Sequence, residues 1–333
     1  MTRVGGGLSV ILAVTLSSTA VAAPGEGTGG GLLLRLPVGA RSQGLGGGHG
    51  TLPGAPESML TNPAALTTME SFAVEGAFHQ GIEDVSYNGI VVASPVLKWL
   101  SVGAGAETFT AGTIETYDYA GNRYEADLQE DRMGMAGLAV RWGIASFGAS
   151  AKYYDSILVG SDRGSMTTGD VGVNLRFVFG GDRPAWQGES PDWMILGCSV
   201  ANLGTAVDYG GVSDPPPLIY RIGLTTVRSL GGEGTNRPRA MVIMAMDVPR
   251  SVARPEGRGG VEMHFPFGYL AMEMRAGVRV RHDGAGYTAG AGISLRGIFL
   301  DYAYLLPEGP FGGTHHFSVG LNTAGLRRLP AED

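Results

Sequence analysis

The chain has 333 residues, a formal net charge of −7, 56 glycines and a charged fraction of only 17%. So few charges argue against a helix-rich soluble protein, in which about a quarter of residues are charged, and the acidic balance argues against a nucleic-acid partner. The lone cysteine, Cys198, excludes an internal disulfide. It sits in the apolar run from Trp193 to Val200 with no ordered base beside it, so it reads as a small packed hydrophobe.

The first 23 residues have the layout of a secretion signal: Arg3, an apolar core from Leu8 to Leu16, then small residues from Ser17 to Ala23. The apolar core is far shorter than the 18 or so residues a membrane-spanning helix needs. Residues 24–70 form a linker and an N-terminal segment unlike everything that follows. Gly25 to Gly31 is a flexible linker, and residues 32 to 69 hold two turn-rich stretches and then a short helical piece over Glu57 to Met69. Asn62 is its N-cap and Pro63 its first helical residue. Such a piece ahead of a barrel stands where a plug or hatch would stand.

From Ser71 onward the pattern changes to period two. The stretch from Leu270 to Val280 puts Leu270, Met272, Met274, Ala276, Val278 and Val280 on one face, and Glu273, Arg275 and Arg279 on the other. Behind an export signal, a greasy face opposite a charged face fits lipid outside and a wet lumen inside. Fourteen strands are predicted: 71–79, 85–94, 99–108, 133–142, 144–154, 168–179, 193–202, 217–228, 238–248, 259–267, 269–281, 285–295, 298–305 and 314–323. Strand 238–248 is apolar on both faces and chooses no phase.

The connections alternate. Ser94–Lys98, Trp142–Gly143, Phe267–Gly268 and Arg296–Gly297 are tight, whereas 109–132, 155–167, 203–216, 249–258 and 306–313 are longer. Short periplasmic turns and longer outer loops are the habit of outer-membrane barrels. The connections at 180–192 and 283–284 depart from it. The fold expected is therefore all-β: a single transmembrane antiparallel β-barrel of about 14 strands over residues 71–323, with a short N-terminal hatch and a tail over 324–333. The tyrosines 153, 220, 287, 302 and 304 fall near strand ends, where aromatic girdles sit. The charges expected to face the lumen are Arg141, Lys152, Arg176, Arg221, Glu273, Arg275, Arg279 and Asp301. They are costly against lipid, and paired or cross-linking inside. Inward small residues such as Gly290, Gly292 and Ser294 leave room in the bore.

Specific residues carry a family resemblance. The stretch Val38-Gly-Ala-Arg-Ser-Gln-Gly-Leu-Gly-Gly-Gly48, the element Asn62-Pro-Ala-Ala-Leu66, the run Leu300-Asp-Tyr-Ala-Tyr304 and the closing Thr314-His-His-Phe-Ser-Val-Gly-Leu321 occur in this order. Together they resemble the PorV/PorQ family, which is related to the FadL-type fatty-acid channels. The resemblance implies a fourteen-strand outer-membrane barrel whose hatch motif is Arg41, Gly44, Gly46, Gly47, Asn62, Pro63 and Leu66. The tail after the last strand departs from the usual terminal aromatic residue.

Chemistry is sparse. The glycine-rich Gly44–Gly50 stretch lacks the Lys-Ser/Thr of a phosphate loop. His315 and His316 point to opposite faces of a strand, and His49, His79, His264 and His282 are scattered without ligand spacing. No Gly-x-Ser-x-Gly elbow occurs. No catalytic, cofactor or metal residue is assigned, and the chain reads as a non-enzyme. Two functions follow from the resemblance. The first is passage of hydrophobic small molecules across the outer membrane, with an apolar pocket near the outer mouth. The second is a secretion accessory of type IX kind, whose acidic loop 109–132 and Pro-rich loop 203–216 dock exported proteins. A third reading is a periplasmic β-sandwich binding protein. Expected partners are outer-membrane lipid and the barrel-assembly machinery, then hydrophobic molecules or exported proteins.

Overall fold

Strands that alternate greasy and polar side chains must bury one face and satisfy every backbone edge, and a sheet does both by closing on itself. The computed structural model describes residues 31–36, 39–48, 50–81, 85–117, 120–158, 162–179, 192–209, 211–230, 237–250, 255–281, 284–307 and 312–326. The segment expected to be a secretion signal, most of the linker, the 180–191 connection and the tail beyond Leu326 lie outside these residues.

The strands are, in chain order, β1 (Ala73–Gln80), β2 (Ser86–Leu97), β3 (Leu100–Thr110), β4 (Thr113–Tyr117), β5 (Arg123–Asp127), β6 (Gln129–Trp142), β7 (Ala145–Leu158), β8 (Asp162–Phe179), β9 (Asp192–Gly204), β10 (Val207–Tyr209), β11 (Val212–Asp214), β12 (Ile219–Ser229), β13 (Arg239–Pro249), β14 (Glu256–Phe267), β15 (Leu270–Arg281), β16 (Gly284–Leu295), β17 (Ile298–Leu305) and β18 (Thr314–Asn322). Fourteen of them form one closed antiparallel barrel, and β4–β5 and β10–β11 are separate hairpins. The seam is β1 against β18, from Ala73 opposite Asn322 to Gln80 opposite His315. A closed single sheet excludes the sandwich reading.

Several expectations are corrected. Residues 155–167 are mostly wall: β7 runs to Leu158 and β8 begins at Asp162, paired from Leu158–Asp162 downward. The two longest outer connections are not plain loops, since each contains one of the hairpins. Strand β13 does choose a phase. Met241, Ile243, Ala245 and Asp247 are buried inside while Val242 and Met244 face out. It is greasy on both sides because its inner face meets apolar hatch residues instead of water.

The outer surface is an apolar band. Ile90, Leu138, Val171, Leu196, Ile222, Met244, Met274, Leu300 and Val319 are all exposed on it. At the end carrying both barrel termini the band is edged by Phe72, Trp99, Trp142, Phe179, Phe267 and Tyr269, with Trp142 81% exposed. At the long-loop end it is edged by Phe78, Tyr153, Tyr220, Tyr287 and Phe317. An apolar band between two aromatic girdles is a surface made for lipid. Among the described residues no helix is long and apolar enough to cross a membrane.

Residues 31–70 occupy the bore. They form a 3-10 turn at Leu32–Arg35, the helix α1 (Ala40–Gly44) in a stretch read from sequence as turns, and 3-10 turns at Pro56–Leu60 and Pro63–Thr68. The Asn62 side chain accepts a hydrogen bond from the Ala64 amide, and Pro63 follows at the first position. After β18 the chain turns back on itself. The Thr323 and Ala324 amides donate to Phe72 O and Ser71 Oγ, which ties the end to the start of β1.

Candidate functional site

The hatch touches the wall closely because the wall supplies glycine where it touches. At Gly148 an added Cβ would run into the Pro63–Ala64 backbone, and at Gly277 into Leu45 and Gly46. Gly172 and Gly197 lie beside Asn62 in the same way, and Gly260 and Gly290 lie beside Leu45 and Gly44. Two glycine seats result, one on β7–β9 under Asn62–Ala64 and one on β14–β16 under Gly44–Gly46. Gly46 itself has φ +72°, and a side chain there would meet the Val278 and Gly259 carbonyls.

A hatch built of short turns has few repeating hydrogen bonds of its own, and buried carbonyls require partners. The inward cations of the wall supply them. Arg221 Nη1 donates to Thr61 O at 3.0 Å, Lys152 Nζ to Leu60 O at 3.3 Å and Arg279 Nε to Gly46 O at 3.2 Å. Arg141 donates to Thr67 O. Ser199 Oγ adds a bond to Thr61 O at 2.7 Å, and Thr51 and Thr225 share a hydroxyl bond of 2.7 Å.

The same cations are neutralised by wall carboxylates. Arg221 grips Asp247 through two bonds of 2.6 and 2.8 Å, and Lys152 pairs with Asp170 at 2.7 Å. On β14–β17, Arg275 bridges Glu262 (2.6 Å) and Asp301 (2.5 Å), and Glu262 also takes Arg41 of the hatch. Glu273 pairs with His264 at 2.9 Å. Arg176 stands apart, its guanidinium 5.1 Å over the Trp193 ring.

The hatch motif residues have distinct places. Arg41 bonds Glu262 and the Pro53 carbonyl, the Gly44 carbonyl accepts from Thr288 Oγ1, and the Gly46 amide donates to the same hydroxyl at 3.0 Å. Gly47 lies against Arg258, which donates to its carbonyl at 3.4 Å. The Asn62 and Asn174 side chains are hydrogen-bonded at 2.8 Å, and Pro63 and Leu66 are buried. Within the hatch, Glu57 accepts from the Gly39 amide (2.6 Å) and Ser42 Oγ (2.8 Å), holding the start of α1. Burial nonetheless pushes its carboxyl above the ordinary value, against the pull of those two bonds.

Of the acidic half of this network, sequence reasoning named Glu273 and Asp301 and missed the rest. Glu75, Glu107, Asp131, Asp170, Asp247 and Glu262 are all buried inside the barrel. For Asp170 the signal was present, since it shares the strand phase of Gly172 and Asn174; for Asp247 it was not, because its phase-mates Ile243 and Ala245 are apolar.

One side of the lumen is instead apolar. Leu33, Leu34, Met59, Leu66 and Met69 of the hatch pack against Tyr87, Val91, Phe109, Met133, Met135, Ala139, Tyr154 and Met166 on β2, β3 and β6–β8. Val207 of the β10–β11 hairpin is fully buried in the same cluster, and Tyr209 leans on it. The cluster therefore runs from the long-loop mouth, at Phe109 and Val207, to the opposite end, at Ala73, Ala93 and Ala139. Asn202, at φ 64°, marks a register shift between β8 and β9 beside it, and its amide donates to Asp170 at 2.8 Å.

The fold is shared with solved outer-membrane channels. A structure of the toluene transporter TodX of Pseudomonas putida matches with 10% identity over 85% of this chain and 98% of that chain, at a TM-score of 0.52. A second TodX structure gives 11% identity over 85% and 96% of the two chains, at 0.48. A FadL homologue of Pseudomonas aeruginosa gives 10% identity over 86% and 98%, at 0.47. Identity this low is a likeness of fold alone. No family model matches the chain, and no curated protein matches it in sequence.

Proposed function

We propose that this chain is an outer-membrane channel for hydrophobic small molecules, which pass along the apolar side of the lumen while the hatch stays anchored on the other. The observation that carries this reading is the division of the bore. Towards β12–β17 the hatch is held by ion pairs and by cations on its carbonyls; towards β1–β8 Lys152 and Arg141 each hold one hatch carbonyl, and a continuous apolar cluster fills the space beside them. Removing the first set would leave buried charges unpaired, which costs several kcal/mol, on the order of 3–5 per broken pair. Parting the apolar cluster costs only dispersion and apolar surface, which an apolar solute replaces. Five methionines (Met59, Met69, Met133, Met135 and Met166) lie in that cluster, and unbranched thioethers repack around varied shapes. The barrel likeness to a toluene transporter and a FadL homologue supports the class of solute without naming one.

The test is uptake of a labelled aromatic hydrocarbon and a labelled long-chain fatty acid by cells that lack their own channels. Faster entry of either when this chain is present supports the reading. Rates equal to those of a control barrel for both would overturn it.

A second reading rests on the β4–β5 hairpin and the resemblance to the PorV/PorQ family. The hairpin stands free at the long-loop end with Ile114, Tyr117 and Tyr124 exposed. An isolated two-stranded ribbon is marginal in water. In this reading the hairpin docks exported proteins at the cell surface. Deleting residues 113–127 would then abolish surface retention of exported proteins and leave solute uptake intact.

A further inference from the structure

A cavity opens at the end of the barrel that carries its termini, towards β14–β18 and β1. It has a volume of about 380 Å³, within the range of small-ligand sites, and lies between the hatch at Gly54–Pro56 and the wall of β14–β18 and β1. Most of its charges answer one another. Glu262 takes Arg41 and Arg275, Asp301 takes Arg275, and Glu273 takes His264. Arg296 stacks over Tyr269 at 5.6 Å.

Glu75 is the exception. Its residue is only 4% exposed and it lines the cavity; the Ser318 hydroxyl bonds its carboxyl group, but its Oε1 has no hydrogen-bond partner. The nearby Glu57 also has a buried Oε1 without a partner, and Glu75 lies within electrostatic reach of both Glu57 and Asp301. A buried carboxyl oxygen without a partner is rare in folded proteins and points to a missing one. Beside Glu75 the wall is aromatic. Glu75 is paired across strands with Gly320, and Gly320 with Phe299 on its other side. A side chain at 320 would collide with the Phe299 ring, so that ring lies over the glycine. A carboxylate and an aromatic ring thus flank one glycine at the cavity wall.

We infer that this cavity binds a protonated primary amine carrying an apolar group, its ammonium on Glu75 and its apolar part on Phe299. An ammonium supplies the donors that the Glu75 oxygen lacks and is drawn to an aromatic face. A neutral solute or an anion offers no positive charge to favour the Glu75 carboxylate. The site is independent of the methionine-lined side, so its outcome does not bear on hydrophobic passage.

The experiment uses the full chain in detergent micelles and benzylammonium as the probe, at about pH 7, where an alkylammonium is charged as lysine is. Calorimetric titration is expected to show binding, with benzyl alcohol at least about tenfold weaker, the scale of one charge-assisted hydrogen bond. Glu75→Gln should lose about tenfold and Phe299→Leu a few-fold. Glu115→Gln, on the outer hairpin, should leave binding unchanged. Absence of binding, equal binding of the alcohol, or full binding by E75Q would overturn the inference. If E75Q fails to fold, crystals soaked in 4-bromobenzylamine decide. An anomalous bromine peak beside Phe299 supports the site, and a peak only elsewhere, or none, refutes it.

Discussion

Arg41 of the hatch and Glu262 of β14 stand 221 residues apart in sequence and meet through two hydrogen bonds of 2.8 Å, Nε to Oε2 and Nη2 to Oε1. Through this two-pronged pair a hatch side chain enters the wall's ion network, since Glu262 is shared with Arg275. Glu262→Gln would leave Arg41 without its carboxylate and Arg275 with Asp301 alone. We expect it to destabilise the seated hatch by about 3 kcal/mol. The denaturant midpoint for release of the hatch, followed by protease access to residues 39–60, should fall accordingly. An unchanged midpoint would show that the pair contributes nothing to seating.

Gly148 is where the hatch backbone lies closest to β7. Gly148→Val places a branched side chain where the Ala64 backbone now runs, and we expect the hatch to unseat while the barrel still closes. Conductance in planar bilayers should then rise above that of the parent protein, with the heat-dependent shift in gel mobility retained. A Gly134→Ala control, with open space around its Cβ, should behave as the parent does.

Glu57 gives the hatch a pH dependence of known sign. Its carboxyl is raised above the ordinary value of 4.5 by burial. The folded state therefore binds its proton more tightly than the unfolded chain does. Stability from this group is full below about 4.5 and is lost as pH rises through the raised value. Relative to Glu57→Gln, the parent hatch should lose stability as the pH is taken upward from about 5. Hatch-release midpoints for both proteins across that range measure it. A parent that gains on the variant with rising pH contradicts the assignment.

Met135 lies buried in the apolar cluster. Met135→Gln keeps the volume and adds an amide whose burial costs about 1–3 kcal/mol. Uptake of a hydrophobic solute along this side should fall by about tenfold, with the gel shift intact. Arg221→Gln, in the ion-paired region, should weaken hatch seating and spare the solute's route.

The strand pattern was legible wherever one face met lipid. Leu270 to Val280 alternates cleanly because Met272 and Met274 face out while Glu273 and Arg275 face in. The sequence could not assign β13, since Met241 and Ile243 touch Leu45 and Leu52 of a segment nearly two hundred residues away. It also showed nothing of β4–β5 and β10–β11. Those hairpins carry Thr, Glu and Asp among their apolar residues, and Val207 became core only where it folds over Met166 and Tyr154.

By itself, then, the sequence determined a closed, lipid-facing sheet of about fourteen strands with a separate piece ahead of it, because period-two alternation and turn length are local properties. It also set the inward phase of cations such as Lys152, Arg221 and Arg275. Only the tertiary structure decided what those cations do. The carbonyls of Leu60 and Thr61 accept from Lys152 and Arg221, on strands 92 and 160 residues away. The glycines of the inner wall follow the same logic: nothing local requires Gly148 or Gly277, and the backbone pressed against each of them does.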